Sequence, residues 1–160
     1  MVNTTNKQLA LIAGTGSALL LLAALSFQYM GYAPCELCIL QRWPHLACVV
    51  IAAVIAIFGW TRSLAILGLI AILIAIGLAV FHSGVELKWW QGPTHCSGGI
   101  SNLTQLSTAD LLTQLEAAPV VRCDEAAWRF IGFSMASWNA ICSAIIAIFW
   151  AMSAFRRPIA

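Results

Sequence analysis

The feature that most constrains this chain is a set of four long apolar stretches that carry almost no charge. They predict membrane spans at approximately residues 9–30, 39–58, 64–81 and 130–155. A helix that crosses a bilayer needs about 20 mostly apolar residues. The second stretch reaches this length only if it begins near Ile39, with Arg42 and Pro44 in its first turns. The pattern predicts an all-α membrane protein, a four-transmembrane-helix bundle forming a single domain over residues 1–160.

The composition excludes several classes of protein. Hydrophobic residues make up 61% of the chain and charged residues only 9%, whereas a soluble domain carries about 25% charged residues. A soluble enzyme, a disordered protein and a nucleic-acid-binding protein are therefore poor interpretations.

The first stretch has an alternative as a signal peptide, because Ala24 and Ser26 are spaced like a cleavage site. Its length argues against this, since such apolar segments usually have about 7–15 residues.

Charge placement predicts the orientation of the spans. Four spans put both termini and the short turn at residues 60–63 on one side of the membrane. That side carries four basic residues and no acid, while all six acidic residues lie on the other side; the basic residues are Lys7, Arg62, Arg156 and Arg157. Lysine and arginine are enriched in cytoplasmic segments. Both termini are thus predicted inside, with outward loops at approximately residues 31–38 and 82–129.

The second outward loop is predicted to contain short helices. Residues 85–90 alternate apolar and charged side chains, which is typical of an amphipathic segment lying on the membrane surface. Ser107-Thr108-Ala109-Asp110 resembles a capping box and predicts a short helix through Glu116.

The six cysteines divide according to this topology. Cys48 and Cys142 lie within spans, where a free cysteine packs like a small hydrophobic residue. The other four all face outward, on the side where disulfides persist; these are Cys35, Cys38, Cys96 and Cys123. An even set of outward cysteines invites pairing.

The spacing Cys35-x-x-Cys38 is by itself ambiguous between a redox pair and half of a zinc site. Zinc is disfavoured because the other two cysteines are 26 residues apart and His95 is the only candidate additional ligand. Two structural disulfides are a stronger alternative. A bridge over two intervening residues closes a very small loop and contributes little, whereas a Cys96–Cys123 bridge would contribute roughly 3–4 kcal/mol. Cysteine pairs with this C-x-x-C spacing are often reactive, so we interpret Cys35 and Cys38 as a redox-active pair.

Arg42 follows Cys38 by about one helical turn. A charged side chain at the membrane edge is costly unless it has a function or a partner. Its guanidinium is suited to stabilising a Cys38 thiolate and to donating hydrogen bonds to a carbonyl oxygen on a bound molecule. The alternative is that Arg42 simply extends toward the interface.

The residues around these cysteines resemble a known family. Cys35-Glu36-Leu37-Cys38-Ile39-Leu40-Gln41-Arg42-Trp43-Pro44 is similar to the C-x-L-C-I-L-Q-R-x-P motif of DsbB-type disulfide bond formation proteins. Gly84-Val85-Glu86, Gly92-Pro93 and Cys96 look like the second-loop motif of that family. Cys123-Asp124-Glu125 and Trp138-Asn139 are similar to the segments that lead into its fourth helix.

The resemblance implies a quinone-linked thiol oxidoreductase of the bacterial inner membrane, with its catalytic loops in the periplasm. A DsbA-like thioredoxin-fold oxidase would form a mixed disulfide at Cys96, and exchange with the first pair would involve Cys123 and Cys35. Cys38 would then pass two electrons to ubiquinone, or to menaquinone, held by Arg42. A vitamin K epoxide reductase-like enzyme is another four-helix candidate, but there the C-x-x-C follows the loop cysteines.

Two residues carry weaker implications. His82 ends the third span and could deliver protons to the reduced quinone, although a histidine there is more often an interfacial side chain. Glu36 lies within the redox motif, where a carboxylate would raise the pKa of nearby thiols. No metal cofactor is expected.

Overall fold

Four long helices are confirmed in the structure of the chain. The computed structural model describes residues 2–93 and 121–156. The helices are α1 (Val2–Tyr29), α2 (Glu36–Phe58), α3 (Arg62–Glu86) and α4 (Met135–Phe155). Each contains a stretch long and apolar enough to cross a membrane. Cys96 and the predicted helix at residues 107–116 lie outside the described residues.

The helices begin and end at residues other than the ends of the apolar runs, because capping side chains and a glycine determine the helix ends. Residues 36–38 were predicted to precede the second span, yet α2 begins at Glu36, because Cys35 caps the helix by accepting a hydrogen bond from the Cys38 amide. Thr61 caps α3 in the same way through the Leu64 amide. Gly59, at φ +99°, ends α2 in a conformation that favours glycine.

The last helix starts later than its apolar run predicts. Residues 130–134 belong to a small hairpin, in which β1 (Arg129–Phe130) pairs antiparallel with β2 (Phe133–Ser134). Ile131 and Gly132 form the turn with φ values of +52° and +82°, as in the two-residue turns that favour hairpins. Ser134 then caps α4 by accepting a hydrogen bond from the Ser137 amide.

The predicted surface segment at residues 85–90 is not a separate element. Val85 and Glu86 continue α3, which extends past the predicted end at Phe81. Trp90 folds back so that its ring stacks on Phe81 and its Nε1 donates to the Phe81 carbonyl oxygen at 2.8 Å.

The four helices pack as a ring in which each contacts two neighbours. α3 packs most extensively against α4 and also contacts α2, while α1 contacts α2 and α4. Small residues allow these close approaches, as is usual between transmembrane helices. Gly68 lies against the ring of Trp150, and a Cβ atom at Gly68 would come within 2.5 Å of that ring.

The core and the outer surface are both apolar. Ile55, Ile72 and Trp150 are completely buried inside the bundle. Large apolar side chains also cover the outside, among them Leu19, Leu22, Ile57, Ile74 and Ile148. A fold that exposes this much aliphatic surface is suited to lipid rather than water.

Candidate active site

The two cysteines of the C-x-x-C lie at the start of α2, and we call this end of the bundle the cysteine end. Cys35 is buried, whereas Cys38 is partly exposed. Their Sγ atoms are hydrogen-bonded thiols 2.8 Å apart, and Cys35 Sγ accepts a hydrogen bond from the Cys38 amide at 3.3 Å. The hydrogen bond shared with Cys38, together with burial, raises the pKa of the Cys35 thiol. Cys35 is therefore the thiol of the pair that retains its proton.

His82, on α3, lies directly beside this pair. Its Nε2 is 3.6 Å from Cys35 Sγ and 3.8 Å from Glu86 Oε1. Its Nδ1 is 2.8 Å from Nε2 of Gln41. His82 is buried, so the structure places it within the site rather than at the lipid interface.

A chain of buried polar groups continues from Gln41 into the bundle. Asn139 Nδ2 donates to Gln41 Oε1 at 2.7 Å, and Asn139 Oδ1 is 3.0 Å from His45 Nε2. Polar groups inside a membrane bundle are expensive and usually functional. Gln41 and Asn139 belong to the motifs quoted above but had no predicted role, and His45 was not predicted as a site residue. Their spacing offered a signal, because Gln41 and His45 are four residues apart on one helical face.

Cys123 lies in the same part of the molecule. It is completely buried and clusters with Cys35, Leu37 and Val85. The next residue, Asp124, accepts hydrogen bonds from Arg122 at 2.8 and 2.9 Å and from Lys88. These bonds lower the pKa of Asp124 to about 2. The ionised Asp124 thus links the segment that carries Cys123 to the residues that follow α3.

A cavity of about 210 Å³ opens next to Cys38 between α1, α2 and α4. One wall is polar and is formed by Cys38, Gln41, Arg42, His45, His82 and Asn139. The opposite walls are apolar and include Leu20, Phe27, Trp128 and Trp138. The cavity can therefore hold a flat, mainly apolar molecule with polar atoms on one edge.

Arg42 reaches this cavity from the second turn of α2. Its Nη1 donates to Oε1 of Gln28, on α1, at 2.8 Å. Its Nε is buried and has no hydrogen-bond partner among the described residues. A buried donor without a partner is costly, so Arg42 is arranged to receive an acceptor from a bound molecule. Gln28 was not predicted as a site residue.

The two cysteines within the spans differ. Cys48 is fully buried, and its Sγ lies 3.6 Å from the Gly68 carbonyl oxygen. Cys142 is only partly buried and lines the cavity, so its surroundings are not those of a simple packing residue.

The fold and the site define a multi-pass membrane protein with a cysteine pair at the end of the bundle, beside a cavity. The family model described as "Disulfide bond formation protein DsbB" matches residues 6–153. The chain belongs to the DsbB family, and the resemblance seen in its motifs is confirmed. It is thus a membrane protein of disulfide bond formation, with a disulfide oxidoreductase role.

Several relatives are similar over most of their length. An uncharacterised protein of Rickettsia prowazekii is 30% identical, covering 93% of this chain and 88% of the relative. Disulfide bond formation protein B of Polaromonas naphthalenivorans is 28% identical, covering 92% and 90%. The protein of the same name from Pasteurella multocida is 29% identical, covering 85% and 79%. No solved structure is significantly similar.

Proposed function

We propose that this chain reoxidises a periplasmic, DsbA-like thioredoxin-fold dithiol oxidase and passes the electrons to ubiquinone or menaquinone in the inner membrane. One observation carries this proposal. Cys38 and Arg42 line the same cavity, while Cys35 and Cys123 are buried together on the other side of the pair. This arrangement suits a relay that receives electrons from a loop cysteine and delivers them to a lipid-soluble acceptor.

The cavity fits a quinone headgroup in shape and in chemistry. Its apolar walls suit the ring and the first part of an isoprenoid tail. The unpartnered Nε–H of Arg42 offers a hydrogen bond to a carbonyl oxygen. When bound, a quinone supplies a two-electron acceptor whose oxygens take up two protons.

Residues of this chain would orient that acceptor and move protons. The bond from Arg42 to Gln28 orients the guanidinium, which presents its N–H donors in one plane. Cys38 Sγ, exposed to the cavity, is the electron donor of the pair. His82 Nε2 lies 3.6 Å from Cys35 Sγ. It would take a thiol proton during oxidation of the pair once the Gln41 amide turns its oxygen toward Nδ1, so that Nδ1 carries the ring proton.

The thiol steps conserve electrons and follow ordinary exchange chemistry. A thiolate of the reduced partner attacks Cys96 of a Cys96–Cys123 disulfide, which forms a mixed disulfide and releases the Cys123 thiolate. Cys123 then attacks Cys35 of a Cys35–Cys38 disulfide and releases the Cys38 thiolate. The second thiolate of the partner attacks its own mixed disulfide, so the partner leaves oxidised and Cys96 is released as a thiolate. That thiolate attacks Cys123 of the Cys35–Cys123 disulfide, which restores the Cys96–Cys123 disulfide and leaves Cys35 and Cys38 reduced. Each step breaks one S–S bond and forms another.

The described charges support an orientation with both termini in the cytoplasm. Lys7, Arg62 and Arg156 lie at the end of the bundle opposite the cysteines. Glu36, Glu86, Asp124 and Glu125 lie at the cysteine end. This end would then face the periplasm, where the partner oxidase is found.

The proposal is tested by trapping and by turnover. Purified Cys123→Ala protein, mixed with the oxidised partner oxidase, should accumulate a mixed disulfide, because the free Cys96 thiolate attacks the disulfide of the partner and no Cys123 thiolate is present to displace it. The parent protein should oxidise the partner with one quinone reduced per disulfide formed. Cys48→Ala serves as the control, since Cys48 packs in the core away from the cavity. Quinone-independent oxidation, or a trapped adduct at another cysteine, would contradict the proposal.

A further inference from the structure

A second, much smaller cavity lies on the other side of the cysteine pair. Its volume is about 30 Å³, which exceeds the about 10–15 Å³ that a single water-sized occupant needs. Cys35, Cys38, His82 and Glu86 all line it. Four side chains that can ligate a metal therefore surround a space of the size of one small ion.

The donor atoms are close to the spacing that a tetrahedral zinc ion requires. The two Sγ atoms and a ring nitrogen of His82 all lie within 4.8 Å of one another. Zinc–sulfur bonds of about 2.3 Å and zinc–nitrogen bonds of about 2.0–2.1 Å put sulfur and nitrogen donors about 3.6 Å apart. Cys35 Sγ and His82 Nε2 are 3.6 Å apart. The two sulfurs, now 2.8 Å apart, would have to separate to about 3.8 Å.

Glu86 supplies the fourth donor. Its Oε1 is 3.8 Å from His82 Nε2, and its side chain is largely buried. In a tetrahedral site, nitrogen and oxygen donors lie about 3.4 Å apart, so a small movement of the carboxylate completes the set. Glu125 and Arg122 also line this cavity and form an ion pair with each other at 3.3 Å, so cation binding depends on the four donor side chains themselves.

The surroundings of His82 match those of a metal ligand. A ligating histidine usually donates its other ring N–H to a fixed acceptor, and His82 Nδ1 lies 2.8 Å from the amide of Gln41. If that amide turns its oxygen toward Nδ1, Nε2 is left unprotonated and able to ligate. Asn139, which bonds to the opposite end of the same amide, can reverse with it.

We propose that the reduced Cys35–Cys38 pair, His82 and Glu86 form a site for one zinc-type divalent cation, and that the ion blocks oxidation of the pair. Binding releases two thiol protons, and no electron moves. The disulfide form of the pair offers no thiolate, so the site exists only in the reduced protein. The ion is an inhibitor and not a resident cofactor. The binding stands on the geometry alone, whereas the inhibition rests on the proposed function.

Cadmium is the probe for the site, because thiolate-to-cadmium charge transfer absorbs in the ultraviolet in proportion to the number of thiolates bound. We expect the reduced full-length protein to bind one cadmium ion through two thiolates, and the oxidised protein to bind none. A Cys96→Ala, Cys123→Ala double variant should give the same result, which assigns the thiolates to Cys35 and Cys38. Cys48→Ala is the matched control and should leave the titration unchanged.

Variants of the other two ligands decide the proposal. His82→Ala should weaken cadmium binding by more than the about 10- to 100-fold that loss of an outer-shell partner costs, with two thiolates still bound. Glu86→Gln, which keeps the shape of the side chain, should also weaken binding. It tests the site independently in case His82→Ala does not fold. Loss of the signal in the Cys96, Cys123 double variant would overturn the site. Unchanged affinity in both His82→Ala and Glu86→Gln would also overturn it.

Turnover separates this inference from the proposed function. In the parent protein, zinc should inhibit quinone-linked thiol oxidation, and a chelator should restore the rate. Tight cadmium binding by a protein that does not reduce quinone would support the site while contradicting the proposed function. Normal quinone reduction with no cadmium binding would overturn the site alone.

Discussion

At the residue scale, Arg42 is the side chain on which the proposed quinone binding depends most directly. Arg42→Gln removes a hydrogen bond from a charged donor, worth about 1.5–3 kcal/mol. This corresponds to an apparent quinone affinity weaker by about 10- to 150-fold, at about 1.4 kcal/mol per factor of ten. Arg42→Lys should restore only part of the affinity. A lysine keeps the charge but lacks the planar guanidinium that can bond to Gln28 and to the ligand at the same time.

The measurement for Arg42 is quinone reduction by the purified variants over a range of quinone concentrations. Formation of the mixed disulfide with the reduced partner is followed in parallel, and it should survive because Cys96 lies in another part of the chain, between α3 and α4 in sequence. An unchanged apparent KM and rate in Arg42→Gln would remove Arg42 from the site and favour a role at the interface only.

The cysteines give a second prediction at this scale. Disulfide formation in vivo should be lost in single alanine variants of the four cysteines outside the spans, namely Cys35, Cys38, Cys96 and Cys123. It should persist in Cys48→Ala, because Cys48 packs in the core. Loss of activity in Cys48→Ala at normal protein levels would contradict the packing interpretation. Cys142 also lies within a span, but it lines the cavity and is therefore a less suitable control than Cys48.

At the scale of the elements, the contact between α3 and α4 offers a matched pair of glycine substitutions. A Cβ atom at Gly68 would come within 2.5 Å of the Trp150 ring, whereas one at Gly77 meets no atom within 4 Å. Overpacking costs about 1–3 kcal/mol, while replacing a helical glycine with alanine gains up to about 1 kcal/mol. Gly68→Ala should therefore lower the thermal unfolding midpoint in detergent, and Gly77→Ala should leave it unchanged or raise it. A midpoint for Gly68→Ala at or above that of the parent would contradict the described packing.

The elements also show how far the sequence could predict the fold. Apolar runs give the number of helices reliably, because a bilayer requires their length. They cannot give the ends, since side-chain caps at Cys35, Thr61 and Ser134 decide where α2, α3 and α4 begin. The hairpin at residues 129–134 was missed for a related reason. Phe130, Ile131 and Phe133 are apolar, so hydropathy cannot distinguish an exposed turn from the start of a span.

At the scale of the whole molecule, the orientation is a direct test of the charge argument. A periplasmically active reporter should be inactive when fused at Arg157 and active when inserted near Leu106. The reason is the excess of basic residues and absence of acids beside the termini. A reporter active at Arg157 would reverse the topology and place the cysteine end in the cytoplasm.

Only some residues of the candidate site could be predicted from the sequence, and there is a physical reason for this. The motif identified Cys35, Cys38 and Arg42 because they are close along one helix. Gln28, His82 and Asn139 lie on three other helices. The resemblance implied a role for His82, but only the packing of the bundle shows that Gln28 bonds to Arg42 and that His82 and Asn139 line the cavity. A polar residue in a span indicates that a function is present, but it does not show which partner it meets.

The position of Asn139 also bears on how the protein is made. α1, α2 and α3 are complete by Glu86, while α4 begins only at Met135, so about a third of the chain is synthesised between the first three helices and the fourth. α4 contributes Trp138 and Asn139 to the cavity and packs most extensively against α3. A nascent chain at the translocon consequently has its cysteine pair in place before the cavity is closed. The cavity is complete only once α4 has packed against α3, so its formation reports that the fourth helix has been inserted.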